Sequence, residues 1–232
     1  MIFGGQGHPF TFGTFWNAFF RTGSPLTASG AVDVSRDPGD SRSGFDVSYR
    51  VPHLRKWVTA YVDSFSEDDV SPFASVRRAA WSPGVYLSKF PRFSRIDFRA
   101  EGVFTDVQGL PAGTNYQNII YRSGYTNYGN IIGSWVGRAG RGLQLRSTYW
   151  FSPESKIQVG YRHLGVSRDF LRGGWLDDVS LQSDIRLQRD LSFAGKMQYE
   201  RWNFPLLSAR TESNWMVSMG LTFRPKWGAR IP

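Results

Sequence analysis

Few side chains in this 232-residue chain are suited to chemistry. The histidines are His8, His53 and His163, and there is no cysteine. None of the three stands at a metal-ligand spacing from another His, Asp or Glu, so neither a metal site nor another cofactor is expected. His163 with Ser167 is the best case for catalysis, because a serine activated by a histidine on a strand wall makes a hydrolase. Four residues apart at a strand end, the two are not expected to touch, and Tyr161-Arg162-His163 reads more simply as an interfacial girdle. The carboxylate pairs Asp68-Asp69 and Asp177-Asp178 are placed in polar loops, where solvation or a bridging divalent cation suits them better than acid–base work. Residues 137–142 are Gly-Arg-Ala-Gly-Arg-Gly, without the strand–helix setting or the following Lys-Ser/Thr of a phosphate cradle. They are read as a hairpin loop. No catalytic residue is assigned, and the chain is not read as an enzyme.

What remains is binding. The expected long loops mix arginine with tryptophan: Arg77, Arg78 and Trp81; Arg138 and Arg141; Arg168, Arg172 and Trp175; Arg201 and Trp202. Aromatic faces stack on the C–H surfaces of sugars, and the arginine fork grips carboxylates or pyruvate groups in two places. These ten are the candidate polysaccharide-binding residues. The competing explanation is that Trp and Tyr gather at membrane interfaces whatever the function.

The elements that must hold these residues are read from residue 178 onward. Val179, Leu181, Ile185 and Leu187 share one face, with Ser183 as its only polar member, while Asp184 and Arg186 lie on the other. After Arg189-Asp190, Leu191, Phe193, Met197 and Tyr199 alternate with Ser192, Lys196, Gln198 and Glu200. Trp215, Val217, Met219, Leu221 and Phe223 alternate with Asn214, Met216, Ser218, Gly220 and Thr222. Period two sustained over about ten residues means strands with one oily and one wet face. Soluble strands usually run about five or six residues, whereas a tilted membrane strand needs roughly 9–11. Charges in mid-strand suit a water-filled lumen, and lipid accepts the opposite side. The reading is an all-β, antiparallel transmembrane β-barrel.

Composition agrees. Aromatic residues make up 16% of the chain, there are 25 Gly, and the mean hydropathy is negative. No apolar run of 18 residues exists, which excludes a helical span but not a barrel. The net charge of +9 is dispersed, with no run of consecutive Lys/Arg longer than a pair, and there is no nucleic-acid motif, so nucleic acid is not an expected partner. Acidic polysaccharide and lipopolysaccharide phosphate are the partners that a basic lumen or mouth suits.

In chain order, residues 1–41 are expected to hold no strand. Phe12, Phe15, Trp16, Phe19 and Phe20 form one stripe of a short amphipathic helix, capped by Thr11 or Thr14 and ended by Gly23 and Pro25. That helix sits in the lumen or at the membrane interface. Residues 42–232 supply barrel strands joined alternately by short and long connections. Asn130 to Gly137 is read as a strand, and the alternation closes only if one further strand, Gln117 to Gly124, precedes it, which gives about eleven. Eleven is odd and no export signal stands at Met1, so the expectation is the C-terminal part of a larger even-stranded barrel.

Particular strings then become informative. Phe3-Gly4-Gly5-Gln6-Gly7, residues 38–46 (Pro-Gly-Asp-Ser-Arg-Ser-Gly-Phe-Asp), Tyr125-Thr126-Asn127-Tyr128-Gly129-Asn130, Gly160-Tyr161-Arg162-His163 and Gln198-Tyr199-Glu200-Arg201-Trp202-Asn203-Phe204-Pro205 resemble the Wzi capsule-assembly family over nearly the whole chain. The resemblance implies a large barrel in the outer membrane of a Gram-negative-type cell. It also implies a helical bundle from preceding sequence and a surface lectin that attaches capsular or exopolysaccharide without catalysis. The second expectation is a porin-like channel with a lumen made basic by Arg50, Arg99, Arg146, Arg162, Arg186 and Lys196. A hydrolase comes third.

Overall fold

The structure, a computed structural model, describes residues 2–3, 9–20, 27–31, 33, 39–40, 42–54, 56–67, 76–90, 92–108, 111–117, 124 and 126–224. Ile2–Phe3 (β1) and Gly39–Asp40 (β2) pair as a two-residue antiparallel bridge, a small departure from the expectation that residues 1–41 hold no strand. Between them the aromatic stripe forms helix α1, Phe12–Phe20. Its N-terminus is closed reciprocally. The Thr11 hydroxyl accepts the Thr14 N–H at 3.1 Å, and the Thr14 hydroxyl accepts the Thr11 N–H at 2.9 Å. Two otherwise orphaned donors are thereby satisfied, as in a capping box. Phe12, Phe15 and Trp16 remain exposed. Gly23 and Pro25, the expected terminators, lie outside the described residues.

The remaining strands are Arg42–Arg50 (β3), Val58–Glu67 (β4), Ala79–Leu87 (β5), Ile96–Phe104 (β6), Thr126–Asn127 (β7), Asn130–Ile131 (β8), Gly140–Ser152 (β9), Ser155–Val166 (β10), Gly174–Arg186 (β11), Leu191–Asn203 (β12) and Glu212–Phe223 (β13). All but β7 and β8 join one antiparallel meander in the order β13-β12-β11-β10-β9-β6-β5-β4-β3. Among the described residues this sheet holds nine strands, against the expected eleven. Asn130 to Gly137 is not a sheet strand: Asn130 and Ile131 make a minimal hairpin with Thr126 and Asn127, and the rest turns. Of Gln117 to Gly124, residues 118–123 lie outside the described residues. Asn130 to Gly137 finds no open edge on β6 to pair with. One edge of β6 is hydrogen-bonded to β5 and the other to β9.

The connections between the nine described strands alternate. Short links at 51–57, 88–95, 153–154 and 187–190 gather at one end of the sheet. The connections 68–78, 105–139, 167–173 and 204–211 gather at the other. A second correction concerns Asp177 and Asp178, which lie within β11 rather than in a loop.

Register sorts the side chains into two faces. Phe98, Ser147, Val159, Leu181, Met197 and Val217 are cross-strand neighbours in one apolar row, and Asp97, Thr148, Gln158, Gln182, Lys196 and Ser218 form a polar row on the other side. Leu181, Val217, Met219 and Leu221 are exposed, as is all of β13. Buried hydrophobics among the described residues are only Ala79, Ala80, Val103, Tyr116, Val136 and Ala139, all toward the end with the long connections. The apolar face of the sheet thus covers no protein core. From Trp215 to Phe223 it extends about 27 Å along the strand. At a tilt of ~40° that is about 20 Å of height, close to the apolar band of membrane barrels.

Candidate functional site

The residues that alternate to the polar face converge on a cavity at the end with the long connections. β4 contributes Tyr61, Asp63 and Phe65, β5 contributes Ala80 and Ser82, and β6 contributes Glu101 and Val103. Period two puts Tyr61, Gly84, Glu101, Gln144, Arg162 and Asp178 in one cross-strand row of this face. The Tyr61 ring lies flat over Gly84, where a Cβ would sit 2.3 Å from it. That posture lets the Tyr61 hydroxyl donate to Glu101 at 2.8 Å. Below it Arg99 stands 5.4 Å from the ring centres of both Tyr61 and Tyr86, a cation held between two π faces.

The far wall comes from the excursion 105–139. Its described residues Tyr116 and Ile132 to Trp135 lie over the polar face. Thr105 starts it by bonding back to Gly140 through both N–H and hydroxyl, and Asn115 Nδ2 donates to the Thr105 carbonyl at 2.6 Å. Tyr116, buried and with φ of 63°, packs its ring 5.2 Å from Phe65, while its hydroxyl accepts the Ser134 N–H at 3.1 Å. Trp135 lies beneath the Arg162 guanidinium, 5.6 Å away, and Arg162 Nε donates to the buried Asp178 carboxylate at 2.6 Å. Arg138 Nε closes the excursion onto the Gly113 carbonyl at 2.7 Å, with its guanidinium 5.2 Å from the Phe170 ring. Burial there lowers the Arg138 pKa from its ordinary value.

The cavity, open on one side, is about 710 Å³. Tyr61, Phe65, Tyr116 and Trp135 offer aromatic faces, and Asp63, Glu101, Ser82 and Ser134 offer oxygen acceptors. The indole Nε1 of Trp135 is buried without a hydrogen-bond partner among the described residues. Stacking faces beside carboxylate acceptors suit a ring bearing C–H surfaces and hydroxyl donors. Among the described residues no group of three or more His, Cys, Asp or Glu is arranged to hold a metal ion.

The ten residues expected from sequence do not form a single pocket. Arg77 and Arg78 lie in a single-turn helix, Val76–Arg78, and Arg78 Nε is buried without a partner among the described residues. Trp81 borders the cavity and bonds through Nε1 to the Val76 carbonyl at 2.9 Å. Arg138 fastens the excursion. Arg168 and Arg172 lie in the connection 167–173. Arg141, Trp175 and Arg201 occupy positions on the apolar-face side of the sheet, with Arg201 5.9 Å from the Trp175 ring. Trp202 is on the polar face, its ring 5.9 Å from that of Phe204. Sequence reasoning missed Tyr61, Asp63, Phe65, Tyr116 and Trp135. The period-two alternation could have put Tyr61, Asp63 and Phe65 on the polar face beside Glu101, but nothing in the pattern placed Tyr116 or Trp135 above them. His163 is bonded to Asp177, Nδ1 to Oδ1 at 2.8 Å, not to Ser167, and the same oxygen accepts the Tyr161 hydroxyl at 2.8 Å.

A long-stranded antiparallel meander with a wet face, an unpacked oily face and alternating connections defines a β-barrel protein. The family profile described as capsule assembly protein Wzi matches residues 1–216, and the chain belongs to that family. Its structure is similar to that of the protein reported as Wzi, an outer membrane protein involved in group 1 capsule assembly in Escherichia coli, a carbohydrate-binding β-barrel. The TM-score is 0.65 at 16% identity, over 87% of this chain and 45% of that one, so this chain spans less than half of that protein's length. No curated protein sequence matches.

Proposed function

We propose that this chain acts in the outer membrane as a β-barrel that binds capsular or exopolysaccharide at the cell surface during capsule assembly, without catalysis. The observation that carries this reading is the cavity of Tyr61, Phe65, Tyr116 and Trp135 with Asp63 and Glu101, at the end of the sheet where the long connections meet. Family membership and the carbohydrate-binding neighbour support it. Arg77, Arg78, Trp81, Arg168 and Arg172 lie toward the same end and extend the saccharide surface, whereas Arg138 holds the excursion in place. Residues 1–41, with helix α1, form a unit in the lumen or at the interface, and residues 42–232 carry the strands.

The test is retention of purified capsular polysaccharide by cells or vesicles bearing the protein. Trp135→Ala removes one stacking face, and a loss of about tenfold in affinity is expected. Unchanged retention in both Trp135→Ala and Glu101→Gln would refute the site.

A passive channel is the second reading, supported by the Arg99, Arg146, Arg162 and Lys196 side chains on the polar face. Against it stand Tyr116 and Trp135, which lie over that face against Phe65 and Arg162.

A further inference from the structure

The oily face changes chemistry within one row. Leu145, Tyr161, Val179, Tyr199 and Trp215 are direct cross-strand neighbours and end the apolar band with three aromatics. The next row toward the long connections is Leu143, His163, Asp177, Arg201 and Ser213. Beyond it come Phe104, Arg141, Gly165, Trp175 and Asn203. Aromatics capped by charge mark the level where acyl chains give way to headgroups.

At this level a second cavity of about 560 Å³ opens, bordered by Phe104, Leu143, Arg141, His163, Gly165 and Asp106. It is roomy because Gly165 has no side chain: a Cβ built there meets nothing within 4 Å. Arg141 is 64% exposed, and its one polar contact among the described residues is a long 3.5 Å approach to Asp106. Its guanidinium therefore keeps most of its donors for a ligand. The neighbouring Asp177 oxygen already accepts from Tyr161 and His163.

We infer that this rim cavity seats the phosphorylated headgroup of a membrane glycolipid. The Arg141 fork takes the phosphate oxygens with His163 beside it, and Phe104 and Leu143 take the first carbons of the acyl chain. Guanidinium–phosphate pairing is charge-assisted and bidentate, and a low-dielectric boundary strengthens it. The inference rests on the membrane placement proposed above and is separate from the saccharide cavity, which opens on the opposite face.

The experiment reconstitutes the full chain in vesicles containing lipid A or its dephosphorylated form and counts retained lipid by native mass spectrometry. Wild type should retain lipid A about tenfold better than the dephosphorylated lipid. Arg141→Gln should abolish that preference, and Gly165→Leu should do so by filling the cavity. Arg141→Lys should keep part of it, and Arg189→Gln, at the opposite end of the sheet, should keep all of it. Equal retention of the two lipids by wild type, or wild-type preference in both Arg141→Gln and Gly165→Leu, overturns the inference while leaving the barrel intact. Displacement of the lipid by millimolar inorganic phosphate would make this a small-anion site and overturn the lipid assignment. Failure of the wild-type chain to insert into vesicles would bring down the membrane placement and this inference with it.

Discussion

Arg162 and Asp178 face each other directly across β10 and β11, with Arg162 Nε donating to the carboxylate at 2.6 Å. One residue along each strand, His163 and Asp177 repeat the pairing on the opposite face at 2.8 Å. Two like arrangements, set back to back by the period of the strand, serve two environments. The inner pair supports Trp135 and the excursion over the polar face, and the outer pair marks the rim of the apolar band.

Removing one member of the inner pair should cost more than removing both. Asp178 is 2% exposed and Arg162 about a third exposed. Arg162→Met leaves a buried carboxylate without its main partner, at a cost of about 1–3 kcal/mol. The double variant Arg162→Met/Asp178→Leu should recover most of that loss. Heat-induced unfolding in detergent measures both, and an equally large loss in the double variant would refute the pairing argument.

Saccharide affinity should depend on the posture of Tyr61. Tyr61→Phe keeps the ring over Gly84 but loses the bond to Glu101, weakening binding by about 1 kcal/mol. Gly84→Ala pushes the ring away and should weaken binding at least as much while leaving the strand in register. Calorimetry with a capsular oligosaccharide tests the pair, and wild-type affinity in both would exclude Tyr61 from the site.

The excursion should close the lumen. Wild-type protein in planar bilayers is expected to conduct little, and deletion of residues 108–136 should raise conductance markedly. A steady open pore in the wild type would favour the channel reading.

Neighbouring residues on β13 should respond oppositely to charge. Met219→Arg places a cation near the middle of the apolar band and should destabilise the protein in a bilayer by about 2–4 kcal/mol. Ser218→Arg, one residue away on the wet face, should cost almost nothing. Equal effects, measured by folding titrations in lipid vesicles, would mean that the two faces have been assigned the wrong way round.

The long strands, their two faces, the aromatic helix and the alternating connections were all legible in the sequence, because each is written as a local period that needs no distant partner to be read. The strand count was not. Asn130 to Gly137 is apolar enough to read as a strand, but a strand exists only where a neighbour's edge is open, and β9 occupies the edge of β6.

The amino-acid sequence by itself thus determined the barrel architecture and which residues meet water. Only the tertiary structure decided that Tyr116 and Trp135 lie over the polar face and wall a cavity with Glu101. That decision rests on contacts between aperiodic loop side chains and strands such as Phe65–Tyr116 and Arg162–Trp135. Such contacts leave no repeat in the chain to read in advance.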